Sequence, residues 1–109
     1  MDWKIILFES VRGEKFVEQF IKKQNFSTVA KIAHTIDLLG KHGSFLGMPH
    51  AKKIDKKLYE LRIRGKEEIR IIYGFVRKDI YLLHAFKKKS NKIPRKEIKI
   101  ALDRMNIIA

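Results

Sequence analysis

Cysteine is absent from this 109-residue chain. That excludes disulfides and thiolate metal sites and makes the cytoplasm the expected compartment. Acidic residues are scarce: 12 Asp and Glu stand against 25 Lys and Arg, a formal net charge of +13. With two prolines and six glycines the chain has no linker, repeat or low-complexity tract. No apolar run approaches the roughly 20 residues of a membrane span. The opening MDWKIILFES, acidic at position 2 and only briefly apolar, is not expected to be a signal peptide. The four histidines, His34, His42, His50 and His84, lack metal-ligand spacing, so no metal or other cofactor is expected.

What is present is a composition for one folded domain over residues 1–109, 45% hydrophobic and able to bury a core. The basic excess argues for a polyanionic partner: nucleic acid first, an acidic protein second, an anionic membrane third. It is also uneven. Residues 1–51 carry seven Lys/Arg and five Asp/Glu, whereas residues 52–109 carry eighteen and seven. The partner surface therefore belongs to the second half. Its cations interleave with strand residues instead of lining one amphipathic helix, which disfavours a membrane surface.

The stretch Leu58 to Lys92 organises the chain. Leu58–Ile63 and Glu68–Val76 alternate apolar and polar residues, and Ile80–Phe86 is a denser apolar run. Gly65-Lys66-Glu67 and Arg77-Lys78-Asp79 separate them, which predicts an antiparallel meander. Upstream, Trp3–Phe8 reads as a covered first strand. Phe16, Val17, Phe20 and Ile21 mark one helix face, and Val29, Ile32, Ala33, Ile36 and Leu39 a second. Asn25 or Ser27 caps the second helix, and Gly40 or Gly43 ends it. A short strand at Lys52 and Lys53 is left open. After the basic turn Lys87–Lys92, Pro94 opens a helix whose apolar face is Ile98, Ala101, Leu102 and Met105. The class is α+β, with helices on one face of a mostly antiparallel sheet.

Period 2 assigns faces. Tyr59, Leu61 and Ile63 share one face of their strand, and Ile69, Ile71, Tyr73 and Phe75 one face of the next. Arg62, Arg64 and Arg70 then project from the other face, expected to be open. In the third strand His84 goes with Leu82 and Phe86, and Lys87 with Leu83 and Ala85. Each arginine alone can be merely solvated or paired with Glu60, Glu68 or Asp79. Gathered with Lys87–Lys89, they cost stability unless an anion meets them. His84 is either a packed, hydrogen-bonded histidine or, if its face opens to the cleft, an acid or base. Tyr73 either packs or stacks on a base.

The segments Glu60-Leu61-Arg62, Arg70 to Tyr73, Leu82 to Lys88 and Pro94 to Ile98, in that order, resemble the RelE/ParE superfamily of bacterial toxins, nearest its HigB-like, phage-related branch. The resemblance spans Trp3 to about Arg104. Many relatives carry a helix-capping Thr before the proline, where this chain has Ile93. The resemblance implies a RelE-like fold: an N-terminal strand and helical hairpin on a mostly antiparallel four- to five-stranded sheet, with a C-terminal helix. It implies the toxin of a type II toxin–antitoxin system, a metal-independent mRNA endonuclease (mRNA interferase) acting on the ribosome and inhibiting translation. A cognate antitoxin, of HigA-like helix-turn-helix type, is the implied protein partner. The alternative is a ParE-like DNA gyrase inhibitor that cuts nothing, and a third reading is a plain nucleic-acid-binding module.

RNA cleavage by the 2′-OH requires alignment, proton removal, a stabilised pentavalent anion and a protonated leaving oxygen. The expected assignment puts Arg62 and Arg70 on the scissile phosphate with Lys87 beside them, and His84 as a conditional acid or base. Lys52, Lys53, Arg64, Tyr73, Lys88 and Lys89 would hold the surrounding RNA. No Glu/His pair is evident. The assignment requires the guanidinium groups of Arg62 and Arg70 to share a face and not to be captured by carboxylates under the helices.

Overall fold

Elements follow in the order β1 (Lys4–Leu7), α1 (Phe16–Lys22), α2 (Phe26–His42), β2 (Ala51–Lys53), β3 (Tyr59–Ile63), β4 (Ile69–Val76), β5 (Asp79–Lys87) and α3 (Arg95–Ile108). The computed structural model describes residues 2–109. Among them, the five strands form one sheet ordered β1-β5-β4-β3-β2. β1 runs parallel to β5, with Lys4 opposite Asp79 and Leu7 opposite Leu82. The other neighbours are antiparallel. The meander and the short strand β2 therefore form as the alternation suggests, and β1 sits at an edge, half-buried, instead of being well covered.

Local chemistry sets the helix limits. The Asn25 carboxamide oxygen accepts a hydrogen bond from the Thr28 N–H at 2.9 Å and caps α2. Gly43 ends it at φ 52°, a conformation that L side chains resist. The Trp3 indole lies directly against Gly43, where a Cβ would run into the ring. The Trp3 N–H donates to the Gly40 carbonyl at 2.7 Å, tying the start of β1 to the end of α2. α3 begins after Pro94 with no side-chain cap, as Ile93 foretells. Ile93 instead packs into the core beneath the helix.

The sheet is covered on both faces, which corrects the expectation of helices on one. α1 and α2 cover Leu61, Ile63, Ile69, Ile71, Tyr73, Ile80, Leu82 and Ala85. α3 lies on the opposite face, where Ala101 and Met105 pack with Ile72, Val76, Leu83 and Phe86. β4 is apolar on that face too, at Ile72 and Val76, and a sheet with two apolar faces needs two covers.

A β-bulge corrects the parity of β5. Ile72 is opposite His84 while Tyr73 is opposite Leu82, so Leu83 is the extra residue. Leu82 thus points to the α2 side and Leu83 to the α3 side, each opposite to the uninterrupted alternation. Among the described residues no helix is long and apolar enough to cross a membrane.

Candidate nucleic-acid interface

Register brings the two strand arginines together. Arg62 and Arg70 are direct cross-strand partners on the α3 face. Neighbouring like charges repel, and Glu60, two residues before Arg62 and on the same face, resolves the conflict. Its Oε1 lies 3.5 Å from Arg62 Nε and its Oε2 lies 3.8 Å from Arg70 Nε. Arg70 also donates to Glu68 Oε1 at 3.1 Å and to the Ile69 carbonyl at 3.0 Å. Arg70 is 1% exposed and Glu60 3%. Glu60 Oε2, Arg62 Nε and Arg70 Nε are buried and make no hydrogen bond among the described residues. The cluster is held by charge with part of its hydrogen-bonding capacity unused, a costly arrangement for a purely structural core.

A cleft opens over the cluster beside the segment that follows β5. A cavity of about 440 Å³ is lined by Arg62, Arg64, Glu68, Arg70, Lys88 and Lys89 together with Ser90 and Asn91. A second, of about 410 Å³, adjoins it across Arg62, Lys88 and Asn91 and adds Lys52, Lys53, Glu60 and Lys92. Lys88 enters because its N–H donates to the Glu68 carbonyl at 2.7 Å, continuing the β4–β5 pairing one residue past the strand. Its side chain thereby falls on the Arg70 side. Among the described residues, Arg64, Lys88 and Lys89 take part in none of the ion pairs, and all three line the cleft. Such crowding of cations in a partly desolvated cleft is an anion site in electrostatic terms.

The expected site residues divide. Arg62, Arg64, Lys52, Lys53, Lys88 and Lys89 gather at the cleft. Arg70 forms its floor, engaged by Glu60 and Glu68, so the condition that neither guanidinium be captured fails for this residue. Lys87 does not join them: it is opposite Ile69, which points to α2, and it pairs with Glu67 at 3.5 Å. Tyr73 is not a stacking platform. It is 1% exposed and stacks on Tyr59 inside the core, ring centroids 5.5 Å apart. Burial, with a smaller contribution from Tyr59, pushes its phenol well above the ordinary range.

His84 is the packed histidine, paired with Glu97 of α3, and it does not line the cleft. Its Nε2 is 2.8 Å from Glu97 Oε1, its Nδ1 is 3.5 Å from Arg104 Nη1, and its ring stacks on Phe86. Burial lowers its pKa, the bond and charge of Glu97 oppose that, and Arg104 adds to it. A Glu/His pair therefore exists where none was evident, because its members lie on separate elements brought together by the docking of α3. Arg104 of α3 donates to the Leu83 carbonyl at 2.8 Å and lies over the Phe16 ring, 4.5 Å from its centroid.

Sequence reasoning saw Glu60 only as a surface partner, yet it is the centre of the cluster. The available signal was parity: in Glu60-Leu61-Arg62 the acid and the arginine share a face. Among the described residues no group of three or more His, Asp or Glu could hold a metal ion.

A mixed five-stranded sheet with a helical hairpin on one face and a C-terminal helix on the other is the fold class seen in a chain of the YoeB-YefM complex from Staphylococcus aureus. That chain is matched over 100% of its length and 83% of this one, with a TM-score of 0.54 and 18% identity. At this identity the likeness establishes the fold. The family is shown by sequence: residues 19–106 match the model of the phage-derived Gp49-like proteins (DUF891), and the chain belongs to that family. No curated protein matches it.

Proposed function

We propose that this protein is the toxin of a type II toxin–antitoxin system, of the HigB-like branch, and that it cuts mRNA on the ribosome without a metal. The observation that carries the reading is the cationic cleft: Arg62, Arg64, Lys88 and Lys89 surround a space fit for a phosphodiester, over the buried Glu60–Arg70 pair. The fold shared with a chain of the YoeB-YefM complex supports it. In this assignment Arg62, whose Nη1 donates to Met48 Sδ at 3.2 Å, presents its other outer nitrogen with the Lys88 ammonium to the scissile phosphate and stabilises the pentavalent anion. Glu60 is the carboxylate placed to accept the 2′-OH proton. Arg70 is a positioning residue that holds Glu60 and Glu68, and Lys52, Lys53, Arg64 and Lys89 hold neighbouring phosphates. The neutralising partner is a HigA-like helix-turn-helix antitoxin presenting acidic side chains to the same cleft. Toxin, ribosome and mRNA meet in the cytoplasm.

One observation favours a second reading, a ParE-like gyrase inhibitor. His84 lies behind α3, so the cleft lacks an imidazole to protonate the leaving oxygen. Induction in a cell separates the two. The nuclease arrests translation with cleaved transcripts whose ends map to ribosome-bound mRNA; the inhibitor lowers supercoiling and triggers DNA-damage signalling with transcripts intact. Arg62→Ala and Lys88→Ala should each abolish cleavage while Lys87→Ala retains it. Cleavage by both folded cleft variants at the parent rate would end the nuclease assignment.

A further inference from the structure

A third concavity, about 460 Å³, lies over the rim of the cleft, between α2 and the β2–β3 end of the sheet. Its lining divides by chemistry. Ala30 and Pro49 give exposed apolar surface beside the buried Ile63, while Lys31, Arg62 and Arg64 are cationic and His34 and His50 add imidazole rings. No carboxylate lines it among the described residues. The Lys31 ammonium lies over the β3–β4 turn, 2.7 Å from where a Cβ on Gly65 would sit, and so reaches from α2 towards the rim. Arg62 and Arg64 border both this groove and the cleft.

We propose that this groove is a second nucleotide subsite, which takes the nucleoside and phosphate next to the scissile one along a single RNA strand. It rests on the nuclease reading of the cleft and extends it to the opposite face of the sheet. The nucleoside lies on Ala30 and Pro49, and its phosphate meets Lys31 and Arg64. The apolar surface separates this site from a bare anion site, and the lack of acidic lining separates it from the surface pockets at Asp55 and Asp79. RNA is favoured over an acidic peptide because the groove continues the cleft through shared arginines.

The test is equilibrium binding of a short single-stranded RNA whose scissile 2′-OH is replaced by hydrogen, read by fluorescence anisotropy over a salt series. Lys31→Glu is compared with Lys41→Glu, the same charge reversal on the same helix at a residue that pairs with Asp37. Lys31→Glu should weaken binding about tenfold and flatten the salt dependence by about one phosphate contact, while Lys41→Glu changes both little. A dinucleotide confined to the cleft should not distinguish the two variants. Equal binding by the two variants, with Arg62→Ala still defective, would overturn the subsite and leave the cleft reading standing. RNA binding unmoved by Lys31→Glu together with release of a bound acidic protein would also overturn it, and would make the groove a protein interface. Loss of cleavage in the parent protein with RNA binding still sensitive to Lys31 would keep the subsite and remove the nuclease reading.

Discussion

Glu60→Gln is the substitution with the largest consequence that can be worked out from the cluster. The carboxylate is 3% exposed and stands between Arg62 Nε at 3.5 Å and Arg70 Nε at 3.8 Å. Glutamine keeps the shape and removes the charge. Two guanidinium groups on adjacent strands then face one another, and Arg70 has lost one of its two carboxylates. Removing one member of a buried ion pair costs about 3–5 kcal/mol. Glu68 still holds Arg70 at 3.1 Å and the Arg62 side chain is 12% exposed at the cleft, so the low end applies, about 3 kcal/mol. At a slope of about 2 kcal/mol per M urea, the denaturation midpoint falls by about 1.5 M at neutral pH. Inorganic phosphate should restore part of the loss in the variant and act less on the parent, since the anion takes the place of the missing charge. A midpoint shift below about 0.5 M, or phosphate stabilisation equal in both proteins, would refute the claim that Glu60 neutralises the two arginines.

Acid should destabilise the protein partly through His84. Its folded pKa is lowered, chiefly by burial, so below the ordinary imidazole value near 6.5 the unfolded chain takes a proton that the folded one resists. Stability is therefore lost as pH falls from about 6.5 towards the folded pKa. His84→Gln, which leaves a polar group facing Glu97 and Arg104, should flatten that limb; an unchanged pH slope of the urea midpoint would count against it. Gly43→Ala should cost about 2 kcal/mol from the left-handed backbone and the displaced Trp3 ring. The fluorescence of the single tryptophan reports that displacement directly. Arg77→Gly should stabilise the fold by about 1 kcal/mol, because Arg77 holds φ 56° in the β4–β5 turn; a lower urea midpoint would show that the arginine side chain compensates for the strain.

Much was determined by the sequence itself because the signals are local. Alternation in β3 and β4 sets which residues share a face, Asn25 and Gly43 bound α2, and the turn residues place the meander. The gathering of cations around the cleft follows from where the charge accumulates along the chain. Tertiary structure decided the rest, wherever local pattern was silent or ambiguous. β5 is apolar on both faces, so neither its orientation nor the bulge at Leu83 leaves a mark on the alternation, and Lys88 rather than Lys87 reaches the cleft only because Phe86 pairs with Arg70. The second apolar face of the sheet drew α3 to the opposite side from α1 and α2, and that docking joined Glu97 to His84 outside the cleft. Parity gives relative faces; only packing says which face is buried, and so whether an arginine such as Arg70 meets solvent or a carboxylate.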